Sequence, residues 1–151
     1  MNSQTFQAPW GKKLRWMSVF SVVLLMGIFL AIRVLDKSSE ARLALWFLPA
    51  LLTVTALFVI REYTIEPREL LIRRLLWTTR LPLAGLKSAA FQPQAMHGSF
   101  RLFGNGGMFS FTGWYRSRAL GTYRAFVTDL NQTVVLKFEK RTIVISPEHP
   151  E

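Results

Sequence analysis

There is no cysteine in this chain of 151 residues, which excludes disulfide scaffolds, iron-sulfur clusters, thiolate zinc sites and thiol catalysis. Acidic residues are scarce as well: nine Asp and Glu stand against nineteen Lys and Arg, for a net charge of +10. Only two histidines occur, His97 and His149, and no carboxylate cluster accompanies either. A zinc set needs convergent ligands and a general base needs an orienting partner, and neither is visible. Ser99, Ser110 and Ser117 stand in no nucleophile-elbow context, and the nearby carboxylates are limited to Asp129, Glu139, Glu148 and Glu151. Gly104-Asn105-Gly106-Gly107 lacks the Lys-Ser/Thr that completes a phosphate loop, and no helical pattern follows it. The sequence therefore points to no catalytic residue, no metal ligand and no cofactor, and to a protein that is not an enzyme.

What the chain has in abundance is apolar surface. Half of its residues are hydrophobic, and many fall in two charge-free runs, Met17 to Ile32 and Leu43 to Ile60. A bilayer core about 30 Å thick takes roughly 17 to 25 apolar residues at about 1.5 Å each. The second run spans outright. The first does so with Val34 and Leu35 added and Arg33 snorkelling near its end. The expectation is a transmembrane helical hairpin over residues 16–60, with spans at about 17–35 and 43–60, after a short unpatterned segment, 1–15. Pro49 removes a backbone donor inside the second span and predicts a kink near Trp46. Ser39-Glu40-Ala41 resembles a signal-peptidase site, but it lies beyond Arg33, Asp36 and Lys37, and the apolar run before it exceeds the usual h-region. Three basic residues precede the hairpin, three lie in its connection and at least four follow it, a bias that places both termini in the cytoplasm.

From Tyr63 the pattern changes to short alternating segments separated by turn residues. Tyr63-Thr64-Ile65, the turn Glu66-Pro67-Arg68-Glu69 and Leu70 to Leu75 predict a hairpin. Leu76 to Leu83 predicts a strand stopped by Pro82, Ala89 to Gln92 a short one, and Met96 to Met108 a long glycine-rich loop. Tyr123 to Thr128, Thr133 to Glu139 and Thr142 to Ser146 follow as strands, closed by Pro147. Six or seven short strands make residues 61–151 an all-β sandwich or barrel.

Thirteen Lys or Arg and seven Asp or Glu in residues 61–151 leave a net charge of +6. Each basic side chain near an anionic leaflet contributes about 1 kcal/mol, so a few on one face orient a tethered domain against its membrane. Arg73, Arg74, Arg80, Arg116, Arg118 and Arg124 are the candidates for contact with a lipid headgroup or a partner. Arg73 and Arg74 are adjacent on a strand and point to opposite faces. The alternative is a generally solvated basic surface. No nucleic acid is expected, because the excess charge suits cytoplasmic loops and anionic lipid.

Gly104-Asn105-Gly106-Gly107, the aromatic-glycine-aromatic step at Phe111, Gly113 and Trp114, Leu120-Gly121-x-Tyr123, Thr128-Asp129, Val134 to Leu136 and Ile145-Ser146-Pro147 occur in that order. Together with Tyr63-Thr64-Ile65, Leu70 to Arg73 and Leu81-Pro82-Leu83 they resemble a bacterial pleckstrin-homology-like (bacterial PH) domain of the small membrane-anchored type. The resemblance implies two antiparallel sheets in a partly open barrel, with Gly104, Gly106, Gly107, Gly113, Gly121, Asp129 and Pro147 as structural motif residues. It also implies a closing C-terminal helix, which is expected to be missing here because the sequence stops at Glu151. The membrane, a loop or another subunit is left to cover that end. The resulting expectation is a bacterial inner-membrane protein, multi-pass, whose cytoplasmic PH-like domain binds anionic lipid headgroups or a protein partner. The alternative is an accessory subunit of a larger membrane transporter or envelope complex, packed through Pro49, Gly27, Ala44 and Ala50.

Overall fold

The computed structural model describes residues 3–35 and 39–150. Asp36, Lys37 and Ser38 of the expected connection, the Ala44 side chain and Glu151 lie outside the described residues. The chain opens with β1 (Gln4–Gln7), passes through α1 (Lys12–Leu35) and α2 (Ser39–Leu57), and enters β2 (Ile60–Ile65), β3 (Glu69–Arg74) and β4 (Thr78–Pro82). Then come β5 (Leu86–Phe91), β6 (Phe100–Gly106), β7 (Phe111–Ser117), β8 (Gly121–Val127), β9 (Val134–Phe138) and β10 (Thr142–Ile145).

Helix α1 starts at Gly11, whose carbonyl accepts the first intrahelical bond from Arg15 N at 3.1 Å. A stripe at Val22, Leu25, Phe29 and Ile32 is half buried, the spacing of a face packed on a neighbouring helix, and α2 is that neighbour. Phe20, Val23, Leu24, Met26, Ile28 and Leu30 are exposed, far more apolar surface than a helix in water presents. By length and composition α1 can cross a membrane.

The expectation of two such spans is corrected. Among the described residues the apolar part of α2 is Leu45–Leu57, short of a bilayer core. The β domain takes the rest of the run. Phe58 N and Val59 N bond to Thr55 O and Ala56 O in a tightened last turn, and Ile60 pairs with Arg74 and is buried. The helix continues through Pro49, and the Thr53 and Thr55 hydroxyls bond back to the Pro49 and Leu51 carbonyls at 2.8 and 2.9 Å.

Two sheets follow, ordered β1-β2-β3-β4 and β5-β9-β10-β8-β7-β6, and they do not close into a barrel. They are not wholly antiparallel: β10 inserts between β9 and β8, so having turned back from β9 it runs parallel to β8. Residues Gln4–Gln7, expected to be unpatterned, form an edge strand against β2, with Thr5 opposite Thr64. The glycine-rich stretch, expected as a loop, is instead β6, and Phe111–Ser117 is a further strand that periodicity missed. Gly104 faces Gly113 across the ladder with φ of 115° and 139°, so two strands lacking side chains at that point approach closely and twist. No helix follows β10 among the described residues.

Alternation divides the six-stranded sheet into two apolar faces. Phe126, Val134, Leu136, Phe138, Ile143 and Ile145 meet Ile60, Tyr63, Leu70, Ile72 and Leu81 of the other sheet. On the outer face Tyr123, Ala125, Val127, Val135 and Val144 are covered by Leu14 and Met17 of α1 and by Ala95 and Met96 of the β5–β6 connection. The first turns of α1 thus bury the apolar face that the β strands leave outside their own sandwich. Ser18 completes the seam, its hydroxyl donating to Gly107 O and accepting from Phe109 N at 2.9 Å.

One polar knot joins the sheets. The fully buried Tyr63 hydroxyl donates to Phe126 O at 2.7 Å, while Ser146 Oγ accepts from Thr128 N at 2.8 Å and Asp129 N at 3.1 Å. Burial pushes the Tyr63 hydroxyl up from 10.0 to about 12, and burial does the same to Tyr115, also to about 12. Below pH 10 the phenols are neutral in both folded and unfolded chains. Between about pH 10 and 12 only the unfolded chain ionises them, so the folded state loses stability as pH rises, by roughly 2 to 3 kcal/mol from Tyr63 alone. Tyrosinate absorbance should therefore rise later in the folded protein than in urea. Coincident titrations would show that the phenols are not buried.

Candidate functional site

In β3, Leu70 and Ile72 point into the core and the next residue on that face is Arg74. A cation thus stands where the pattern would continue with an apolar side chain. Arg74 is 8% exposed, and its guanidinium lies 5.5 Å from the Phe58 ring, 5.4 Å from Trp77 and 5.5 Å from Phe126. The T-shaped Phe58–Trp77 pair, 5.1 Å between centroids, ties the end of α2 to the tip of the β3–β4 hairpin beside it. The Arg74 Nε is buried with no hydrogen-bond partner among the described residues, and none of the ion pairs there includes Arg74. Burial, and after it the like charge of Arg124, push the Arg74 pKa down, with partial relief from Tyr63.

Strand β8 repeats the arrangement. Phe126 faces the core and Arg124, two residues earlier on the same face, lies 4.8 Å over the same Phe126 ring. Both arginines border a crevice of about 870 Å³ between the sheets and the base of the helices, shared with Arg101, the Gly104–Gly107 backbone and Trp114. Met17 and Ser21 of α1, Thr55 of α2 and Phe58 in the turn that follows it form its roof. Gly106 makes room for Arg101, whose Nη1 is 2.5 Å from the position a Cβ would take. Leu75 and Leu76 at the hairpin tip, and Leu102 and Phe103 on β6, are exposed apolar side chains around the same end of the domain.

Of the six arginines expected to make contacts, the structure brings together Arg74 and Arg124. Arg73 points to the opposite face, as its strand position requires, and pairs with Glu62 at 3.1 Å. Arg80 lies 3.9 Å from Glu69, Arg116 pairs with Phe100 and Thr122 on the β7 ladder, and Arg118 sits in the β7–β8 turn. Arg101 was missed because its segment reads as loop. The alternation Arg101, Phe103, Asn105 interrupted by a bulge hides the strand period.

The motif residues have structural surroundings. Gly104 and Gly113 form the close pair, Gly106 lies under Arg101, Gly107 packs on Met17, and Gly121 takes the left-handed turn between β7 and β8 at φ 65°. Asp129 accepts from Asn131 N at 2.9 Å and abuts Gly11 where α1 starts, a favourable place for an acid. Pro147 is buried two residues past the end of β10. His97 borders a smaller crevice of about 450 Å³ with Lys13 and Asp129, while His149 is exposed near the end of the described chain. Ser99, Ser110 and Ser117 each engage a structural hydrogen bond, with Tyr123, Phe58 O and Leu120 N.

A family model described as a bacterial PH domain matches residues 61–151, which begin within β2 and end past β10. No curated protein and no solved structure matches the chain. The sequence motifs lie in the strands, turns and close strand contacts of a two-sheet β domain, and the family model spans more than half the chain: the protein belongs to the bacterial PH domain family.

Proposed function

We propose that the protein is a non-enzymatic interaction module held at the cytoplasmic face of a bacterial inner membrane, where its PH domain engages anionic lipid headgroups. The observation that carries this reading is the pairing of β1 with β2 on either side of the helices. A single crossing by α1 would leave those two hydrogen-bonded strands on opposite sides of the bilayer. The helices therefore insert together from the side on which β1 and the β domain lie, with α1 as the apolar anchor and α2 packed against it. The exposed apolar surface of both helices and the arginines at their base, which make no ion pair among the described residues, support the same placement. So does the collar of Leu75, Leu76, Leu102 and Phe103, which lies where an interface would be.

The absence of cysteine makes the reading simple to test. Single cysteines introduced as Ser3→Cys and Glu148→Cys in the full chain should both react with a membrane-impermeant maleimide from the cytoplasmic side only, and the protein should resist carbonate extraction. Labelling from opposite sides, or release by carbonate, would sink the tethered module. In vesicles rich in phosphatidylglycerol the β domain should melt at a higher temperature than in neutral vesicles, with the gain shrinking as salt rises.

A further inference from the structure

We propose that the crevice beneath the helices is a binding site for a single phosphate group, with Arg74 as its buried anchor and Arg101 and Arg124 closing on it from the exposed side. A guanidinium this deeply buried, with Nε unpartnered and no carboxylate beside it, is unfavourable unless something anionic completes it. Among the described residues no protein group does so: the acidic side chains in ion pairs, Glu62, Glu69 and Glu139, all serve other cations.

The second observation is convergence. Three strands, β3, β6 and β8, each deliver one arginine to the same cavity, and two of the guanidiniums lie within 5.5 Å of the Phe126 ring centroid. Like charges brought together repel, so their arrangement is favourable mainly with a shared anion between them. Phosphate suits the site because arginine forks donate two parallel bonds to its oxygens. The glycine-rich β6 segment contributes backbone to the same wall with no side chain in the way at Gly104, Gly106 and Gly107.

The roof distinguishes the source of the phosphate. Met17, Ser21 and Thr55 belong to the helices and Phe58 to the turn that ends α2, so a ligand whose phosphate meets Arg74 has apolar surface directly above it. That is the profile of a phospholipid, with headgroup phosphate in the crevice and acyl chains along α1 and α2. This last step rests on the membrane-tethered reading. The phosphate site itself does not.

Calorimetry on the full chain in neutral detergent, with short-chain phosphatidylglycerol as probe, should give one equivalent bound. Arg74→Lys, which keeps the charge but loses the fork, and Arg124→Gln should each weaken binding about tenfold. Arg80→Gln and Arg118→Gln, outside the crevice, should leave it unchanged. Should Arg74→Lys lose its cooperative melt, Arg101→Gln and Arg124→Gln, whose side chains are exposed, carry the same test. Equal binding of short-chain diacylglycerol, which has no phosphate, or binding indifferent to all three arginines, overturns the proposal. Binding of inorganic phosphate as tight as that of the lipid, with the same arginine dependence, upholds the site and assigns it to free phosphate. A chain that stays in the membrane yet binds without the arginines loses this site and keeps the tethered module; arginine-dependent binding by a chain that carbonate extracts does the reverse.

Discussion

Placing one methyl group at Gly104 or Gly113 is expected to prevent the β domain from folding as it does. A Cβ at Gly104 would fall on the carbonyl oxygen of Thr112, and one at Gly113 on that of Phe103. Both contacts are with backbone, so no side chain can swing aside to relieve them. Both residues also hold φ values, 115° and 139°, that L side chains rarely adopt. Strain of about 1 to 3 kcal/mol for the dihedral adds to the overlap, for a total of roughly 4 kcal/mol or more, a large share of the stability of a small domain. Gly104→Ala and Gly113→Ala should each lower the melting temperature by more than ten degrees or abolish the transition. Gly27→Ala, in a helix with nothing within 4 Å of the added atom, should not lower the melting temperature and can raise it slightly. An unaltered melt for either strand variant would show that β6 and β7 do not pair in this register.

The segment that matches the family, excised as residues 61–151, is expected not to fold on its own. Excision removes β1, so β2 becomes an exposed edge with a free ladder. It also removes Ile60 and Ala8 from the core between the sheets and Leu14, 1% exposed, from the outer face, uncovering Val127, Val135 and Val144. Losing a fully buried leucine alone costs about 2 to 5 kcal/mol, and the whole domain is held by roughly 5 to 15. The excised segment should aggregate or unfold without a cooperative transition. Residues 3–18 joined by a flexible linker to residues 59–151, in place of the helices, should restore one. A cooperative melt from residues 61–151 alone would mean that the N-terminal segment is an accessory to the fold rather than part of it.

Both predictions turn on features that lay outside the reach of pattern reading. The β2–β3 hairpin, β9 and β10 could be read directly, because their apolar residues alternate at the strand period and turn residues bound them. Strand β6 could not: its glycines remove the alternation, and its bulge between Arg101 and Phe103 shifts the phase. Strand β1 is four residues of mostly polar chain whose only reason to be extended is the free edge of β2, more than fifty positions away. The paired orientation of Arg73 and Arg74 followed from the strand period, yet nothing local said that the inward one would meet Arg124 and Arg101.

By itself the sequence determined the apolar character of the helices, the family and the strand grammar of most of the β domain, because these depend on periodicity and composition within short windows. The tertiary structure alone decided that α2 gives up its last turn to the sheet, that α1 covers the outer face, and that three arginines from three strands line one crevice. Each of those outcomes depends on which distant segments become neighbours, and burial and charge act between neighbours in space whatever their separation along the chain.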